Sequence, residues 1–354
     1  MLPRRLDSLS VHLMTERRFA ILGTGFWARY QLAGWRELSG ARCVAVWNRT
    51  RAKAQALADA FGVASVYDTP EELLAREKLD FVDIITDAGT HRQFVELAAA
   101  HRVPAVCQKP MAPTLAEAEA MVEVCRKAGV PLLINENWRW QTPLRELHRV
   151  IASGKIGRVF RARIDYCNSF PVFDNQPFLK TVDQFIIADM GSHILDVARF
   201  LFGEAAALNC RTSRVHPDIR GEDVATVMLQ MRNGATVTCN LSYASRVEQD
   251  RFPETFALVE GTEGAVELGP DFWIRTTTSE GTTSRRCPPP LYAWADPRYA
   301  VVHSSIVDCQ RNLLLHLSGQ GRAETTGEDN LNTVRLVSAA YASAASGETV
   351  RLPA

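Results

Sequence analysis

The chain has 354 residues, 46% of them hydrophobic, and its 40 basic side chains are matched by 40 acidic ones for a formal net charge of +0. A binder that works by neutralising phosphates would carry a basic excess, and a disordered chain would carry fewer apolar residues, so both classes are set aside. No apolar run reaches the ~18 residues a membrane helix needs, and no apolar stretch follows the N-terminal arginines as in a secretory signal, so a cytoplasmic location is expected.

At ~100–200 residues per domain, the length suggests two domains. Residues 1–15 are assigned to a disordered extension, with Met14 an alternative start to Met1. Strand-like apolar runs follow at 19–22, 43–47, 81–85, 105–107 and 131–134, and helical spacing at 26–38, 51–61, 91–101 and 115–128. This alternation implies βαβ units and a parallel sheet covered on both faces. After about residue 137 the rhythm changes. Residues 144–151 and 190–202 read as helices, but 159–166, 224–231, 236–243, 256–260 and 265–268 read as extended. Asn233-Gly234 between two β-rich runs is a hairpin signal. Residues 277–300, polar and containing Pro288-Pro289-Pro290, are expected to form a long surface loop, and helices at 302–317 and from Asp329 to 346 close the chain. The eight cysteines form no C-x-x-C pair and read as buried free thiols.

Gly23-Thr24-Gly25-Phe26-Trp27-Ala28 fits G-x-G-x-x-A between a strand and a helix. Gly23 and Gly25 permit a tight turn and the close approach of a pyrophosphate to the helix N-terminus, and Phe26, Trp27 and Ala28 open that helix. An acidic residue about 20 positions on usually holds the ribose diol of NAD; here the place belongs to Asn48, followed by Arg49 and Arg51. Asparagine bonds a diol without repelling a 2′-phosphate, so these residues by themselves admit NADP as well as NAD. Thr86 and His91 bound a loop (TDAGTH) placed to meet the nicotinamide ribose, although Thr90 there could equally be a helix cap.

Gln108-Lys109-Pro110 ends a short strand at the carboxyl edge of the sheet, where open α/β sheets bind ligands. Of 40 basic residues only six are lysines, and Lys109 alone among them follows a buried strand. Asp189, His193 and Asp196 open an apolar helix at spacings that place them on one face, so that a carboxylate can orient a histidine base. The plain alternative is a capping aspartate with a core histidine, and Asp196 is read as structural.

With these motifs the chain resembles the glucose-fructose oxidoreductase, inositol dehydrogenase and rhizopine-catabolism family of NAD(P)-dependent sugar dehydrogenases, GFO/IDH/MocA. GTGFWA, CQKPMA, the DMGSHILD helix and the terminal TGEDNLNTVRLVSAAY segment carry the likeness over nearly the whole chain. The resemblance implies an α/β architecture: a Rossmann domain with a parallel sheet over 16–137, then an α+β domain with a large, mostly antiparallel open sheet over 138–354. The open sheet would mediate homo-oligomerisation as a dimer or tetramer, and the C-terminal helix could pack back on the first domain. It also implies a catalytic trio of Lys109, Asp189 and His193; no metal is expected. Gln108 stands where the family usually has glutamate, and losing that charge would let Lys109 titrate lower than in relatives. Within the family, ENWRWQTP, FPVFDNQPFL and QKPMA resemble enzymes that oxidise a branched pentose to its lactone with NAD, which favours NAD over NADP.

Further sugar-binding candidates are Asn137, Trp138 and Arg139, with interdomain packing as their alternative, and Asn175, Arg163 and Asp165. The expected reaction is hydride transfer from a sugar CH–OH group, with His193 as base, Asp189 orienting it and Lys109 bonding the reacting oxygen. The rivals are a cofactor-binding sensor without turnover, a dehydrogenase acting on inositol or another polyol, and a metal-dependent enzyme using Asp189 and His193.

Overall fold

The computed structural model describes residues 16–248 and 250–353; the expectations for 1–15 and Met14 fall outside them, as does the side chain of Asn175. Strands β1 (Arg17–Leu22), β2 (Ala41–Trp47), β3 (Ser65–Tyr67), β4 (Phe81–Ile84), β5 (Ala105–Gln108) and β6 (Leu132–Asn135) form a sheet in the order β3-β2-β1-β4-β5-β6. All its pairings are parallel. Helices α1 (Ala28–Arg36), α2 (Arg51–Phe61), α3 (Pro70–Arg76), α4 (Ala88–Ala100) and α5 (Leu115–Ala128) make the crossovers that parallel strands require. Covered on both faces, β4, β5 and β6 are buried at every residue. The strand order reverses between β1 and β4, opening a crevice at their carboxyl ends. The short edge strand β3 and the two-turn helix α3 carry too few residues for a periodic signal and were absent from the sequence-based expectation.

The rest of the chain comprises α6 (Thr142–Ala152), β7 (Val159–Cys167), α7 (Val172–Asn175), α8 (Ser192–Phe202), β8 (Ala205–Ser213), β9 (Val224–Met231), β10 (Thr236–Ser242), β11 (Phe256–Gly261), β12 (Gly264–Gly269), β13 (Trp273–Thr278), β14 (Gly281–Arg286), α9 (Ala300–Leu317), α10 (Gly327–Ser346) and β15 (Val350–Arg351). A nine-stranded sheet runs β14-β13-β12-β11-β7-β10-β9-β8-β15. Its pairings are antiparallel apart from β7 with β10. Helices α6, α8 and α10 cover one face. The other is open, so β9 buries Ala225, Val227, Leu229 and Met231 and exposes Met228 and Gln230 in alternation. Asn233-Gly234 forms the expected turn between β9 and β10, with Gly234 at φ +89°. The surface loop expected over 277–300 is corrected: its first part is β14, paired with β13. Every residue of β14 is exposed and none is apolar, so only backbone pairing reveals it.

Helices α9 and α10 return to the first sheet. Val307, Leu313 and Leu314 share a core with Phe19, Trp35 and Phe81, and Thr325 exchanges hydrogen bonds with Ile134 at 2.8 Å in both directions. Helix α10 starts at Gly327, two residues before the expected Asp329, because the Thr326 hydroxyl caps it by accepting from the Asp329 N–H at 3.2 Å. All eight cysteines are free thiols. Among the described residues, no helix is long and apolar enough to cross a membrane.

Candidate active site

The loop from β1 to α1 lies at the crevice. A Cβ on Gly23 (φ +98°) would sit 2.7 Å from the Ile85 carbonyl oxygen and from Thr86 Cγ2, so only glycine lets β1 leave the sheet past the end of β4. Beside Gly25 there is open space. No side chain caps α1, which leaves first-turn N–H groups for an anion. The Thr24 hydroxyl and the Gln108 Nε2 are buried with no partner among the described residues. Open space, an uncapped helix and orphaned polar groups fit a dinucleotide lying along β1 and β5.

Ala28 is buried, whereas Phe26 and Trp27 are 66% and 37% exposed and pack with Tyr30, which stacks on His303 at 4.5 Å. Asn48 carries a further task. Its Oδ1 accepts from the Thr24 N–H (3.0 Å) and its Nδ2 donates to the Thr50 carbonyl (3.1 Å), pinning the glycine loop to the end of β2. Arg49 is exposed, and Arg51 pairs with Asp68 at 2.5 Å. The Thr86 and Thr90 hydroxyls meet at 2.8 Å. His91 is corrected: it is buried, with Nε2 3.0 Å from the Thr86 carbonyl and Nδ1 3.1 and 3.2 Å from the carbonyls of Pro110 and Met111. It clips the loop after β4 to the loop after β5, leaving no ring nitrogen for a ligand.

Lys109 leaves β5 at the crevice, and its Nζ donates to Asp189 Oδ1 at 3.0 Å. The charge missing at Gln108 is thus met by Asp189, while Gln108 Oε1 accepts from the Lys109 N–H at 3.2 Å. Asp189 belongs to a π-helical turn, Ile187–Gly191, ahead of α8. With hydrogen bonds to i+5, that turn rotates Asp189 away from the His193 face that 3.6-residue spacing predicts. Its free N–H groups are held. The Glu222 carboxylate accepts from Ile187 (3.1 Å), and the Tyr341 hydroxyl accepts from Ala188 (3.0 Å) while donating to Glu222 (2.7 Å).

Asp189 therefore steadies Lys109, and the expected orientation of His193 by Asp189 is corrected. His193 Nδ1 lies 2.5 Å from Oε1 of Glu136, one residue beyond β6. The Trp138 indole stacks on the imidazole at 4.4 Å and is itself fixed by donating to the Thr255 hydroxyl at 2.9 Å. Burial first, then Lys109, holds the His193 pKa well below the ordinary imidazole value. Burial pushes the Glu136 carboxyl up to about 7, opposed by Lys109, the Trp138 N–H and Arg139. Glu136 was missed in the sequence, where it reads as one polar residue in ENWRW, and only the packing of α8 against the turn after β6 brings it to His193.

Several expected sugar contacts are spent elsewhere. Arg139, 5% exposed, makes two bonds to Asp196 (2.7 and 2.6 Å) and one to Asp329 (3.2 Å), which bears out the structural role given to Asp196 and corrects the ligand role given to Arg139. Asn137 is buried and donates to the Ser305 hydroxyl at 2.7 Å, joining the end of β6 to α9. Arg163 and Asp165 pair with each other at 2.7 Å on the outer side of β7, the side opposite buried Ile164 and Tyr166, so they too are corrected. A surface hollow of about 360 Å³ beside Arg145, Arg149 and Arg311 contains none of the site residues, and those arginines already pair with Glu324, Glu146 and Asp308. Among the described residues, no group of three or more His, Cys, Asp or Glu side chains could hold a metal.

Residues 17–136 match the oxidoreductase family with an NAD-binding Rossmann fold, GFO/IDH/MocA, and residues 144–267 match a GFO/IDH/MocA C-terminal domain. The chain is 42% identical to the D-apiose dehydrogenase of Rhizobium rhizogenes over 96% of its length and 99% of the relative's. It is also 42% identical to the D-apiose dehydrogenase of Paraburkholderia graminis, over 97% of its length and 92% of the relative's. A crystal structure of an oxidoreductase from Agrobacterium radiobacter, in complex with NAD+, L-tartaric acid and magnesium, superposes with a TM-score of 0.93 at 42% identity, covering 95% of this chain and 98% of that one.

Proposed function

The chain belongs to the NAD-binding GFO/IDH/MocA oxidoreductase family, and on that premise we propose that it is a sugar dehydrogenase that oxidises D-apiose, or a closely similar aldose, to its lactone with NAD. The substrate comes from the two D-apiose dehydrogenases at 42% identity. The observation that carries the chemistry is the presence together of a lysine fixed by Asp189 at the end of β5 and a buried histidine of α8 oriented by Glu136, with the uncapped helix α1 at the same crevice.

NAD, when bound, supplies the hydride acceptor. Gly23, Gly25 and the first turn of α1 would hold its pyrophosphate, Thr24 and Gln108 offer their orphaned polar groups, and Asn48 keeps the loop in shape. His193 donates Nδ1–H to Glu136, so Nε2 is unprotonated and takes the proton of the sugar hydroxyl. Lys109, steadied by Asp189, bonds the same oxygen and stabilises the negative charge that develops as the proton leaves. Trp138 restricts the imidazole plane by stacking. The open face of the nine-stranded sheet supports assembly as a homo-oligomer, and the enzyme would act in the cytoplasm on a small sugar.

Purified protein with NAD, NADP and a panel of aldoses and polyols tests this. D-apiose with NAD is expected to give the highest kcat/KM, and His193→Asn and Lys109→Met to lower kcat by about 10²–10⁴ while NAD still binds. A wild type that gives no reduced cofactor with any sugar, or full activity in both variants, refutes the mechanism. Thermal stabilisation by NAD without turnover would identify a sensor.

A further inference from the structure

We propose that Glu136 is the second station of a proton relay, taking the proton from His193 and releasing it to solvent through a cleft between the loop after β5 and α10. The proposal rests on the oxidation proposed above and adds where its proton goes.

Glu136 is wholly buried, and while Oε1 bonds His193 Nδ1 at 2.5 Å, Oε2 has no partner among the described residues. A buried carboxylate oxygen left bare is costly, so a donor is called for there. The cleft supplies the place for one. It holds about 250 Å³, room for several waters at ~30 Å³ each, and Lys109, Glu136 and Ser192 line it. Its lining includes residues exposed at the surface, Pro113, Gln184 and Ser338, together with buried Thr333 (1%) and Glu136 (0%), so Glu136 borders a cavity that reaches solvent. The charged or titratable groups facing Glu136 are Lys109 from the loop after β5, His193 from α8, Arg139 from the turn after β6, and the Cys309 thiol of α9, which donates to the Glu136 carbonyl at 3.8 Å. A carboxyl near neutrality among them can both accept and release a proton.

The transfer balances. The sugar O–H breaks as N–H forms on His193 Nε2; His193 Nδ1–H breaks as O–H forms on Glu136; that proton passes to water in the cleft. Once the lactone has left, His193 loses its Nε2 proton to water in the emptied sugar site and regains Nδ1–H from the cleft through Glu136, which restores the starting tautomer with one proton released per hydride transferred. Glu136 touches no substrate and acts through His193.

Glu136→Gln keeps the acceptor for His193 Nδ1–H and the shape, and removes the ability to take a proton. Expected are a kcat lowered about 10- to 100-fold with the sugar KM little changed, a larger solvent deuterium isotope effect, and loss of the acid limb of kcat. In Glu136→Ala, formate should restore kcat with saturation, and adding Ser338→Trp at the exposed mouth should suppress that rescue. Wild-type kcat in Glu136→Gln, or no formate rescue of a folded, NAD-binding Glu136→Ala, overturns the relay. A readout independent of turnover is coupled titration of the His193 imidazole and Glu136 carboxyl by NMR of labelled protein; independent titrations overturn the relay, whereas a wild type that oxidises no sugar overturns only the proposed function.

Discussion

Replacing Arg139 with methionine separates a structural from a ligand role. Its guanidinium spans Asp196 and Asp329, and the Arg139 and Asp196 side chains are 6% and 0% exposed. Without it, Asp196 keeps the Thr333 hydroxyl at 3.0 Å and Arg199 at 3.6 Å. Removing one partner of a buried pair costs ~3–5 kcal/mol, and the remaining contacts place this case near the lower end. At ~2–4 °C per kcal/mol for a cooperative unit of this size, Arg139→Met should lower Tm by about 6–12 °C in a thermal melt. Asp196→Leu alone should cost a similar amount, and the double variant Arg139→Met/Asp196→Leu should recover most of it, since a buried ion pair replaced by packed apolar groups is often neutral. In the double variant the sugar KM should move by less than about threefold, well under 1 kcal/mol. An unchanged Tm in Arg139→Met with a sugar KM raised ~100-fold, worth about 2.7 kcal/mol of lost binding, would show that Arg139 meets the substrate and refute the reasoning.

Asp83 is fully buried and accepts from Trp35 Nε1 (2.7 Å) and Asn135 Nδ2 (3.1 Å), and burial pushes its carboxyl up to about 7. A raised carboxyl favours folding when protonated, so this contribution is lost as pH climbs from ~4 through 7, by on the order of 4 kcal/mol; Asp83→Asn should raise Tm at pH 8, with an advantage that shrinks toward pH 4. Gly23→Ala forces a Cβ to 2.7 Å from the Ile85 carbonyl at φ +98°; with ~1–3 kcal/mol of backbone strain added, NAD affinity measured by calorimetry should fall at least about tenfold while far-UV circular dichroism is kept. Tyr341→Phe removes the hydroxyl that accepts from Ala188 and donates to Glu222; at ~1 kcal/mol for the lost bonds, kcat should drop about fivefold with NAD affinity intact, and an unchanged kcat would show that Asp189 needs no such support.

The first half of the molecule was legible because its strands are buried on both faces and its helices are amphipathic, and G-x-G-x-x-A and Lys109-Pro110 lie at strand ends that a parallel sheet must place together. Position within the second half was harder. Strand β14 has no apolar face to betray it, and Asp189 and His193 look like neighbours on one helix until the π-turn is seen. Periodicity and the glycine motif thus pointed to two sheets and the cofactor loop, and the resemblance carried by short motifs pointed to Lys109, Asp189 and His193, because those signals lie in short stretches of chain. Which carboxylate serves which base was decided only by tertiary structure. Glu136 and His193 are 57 residues apart, as are Arg139 and Asp196, and a pairing over that distance depends on how α8 packs against the turn after β6, a packing outcome that no local pattern encodes.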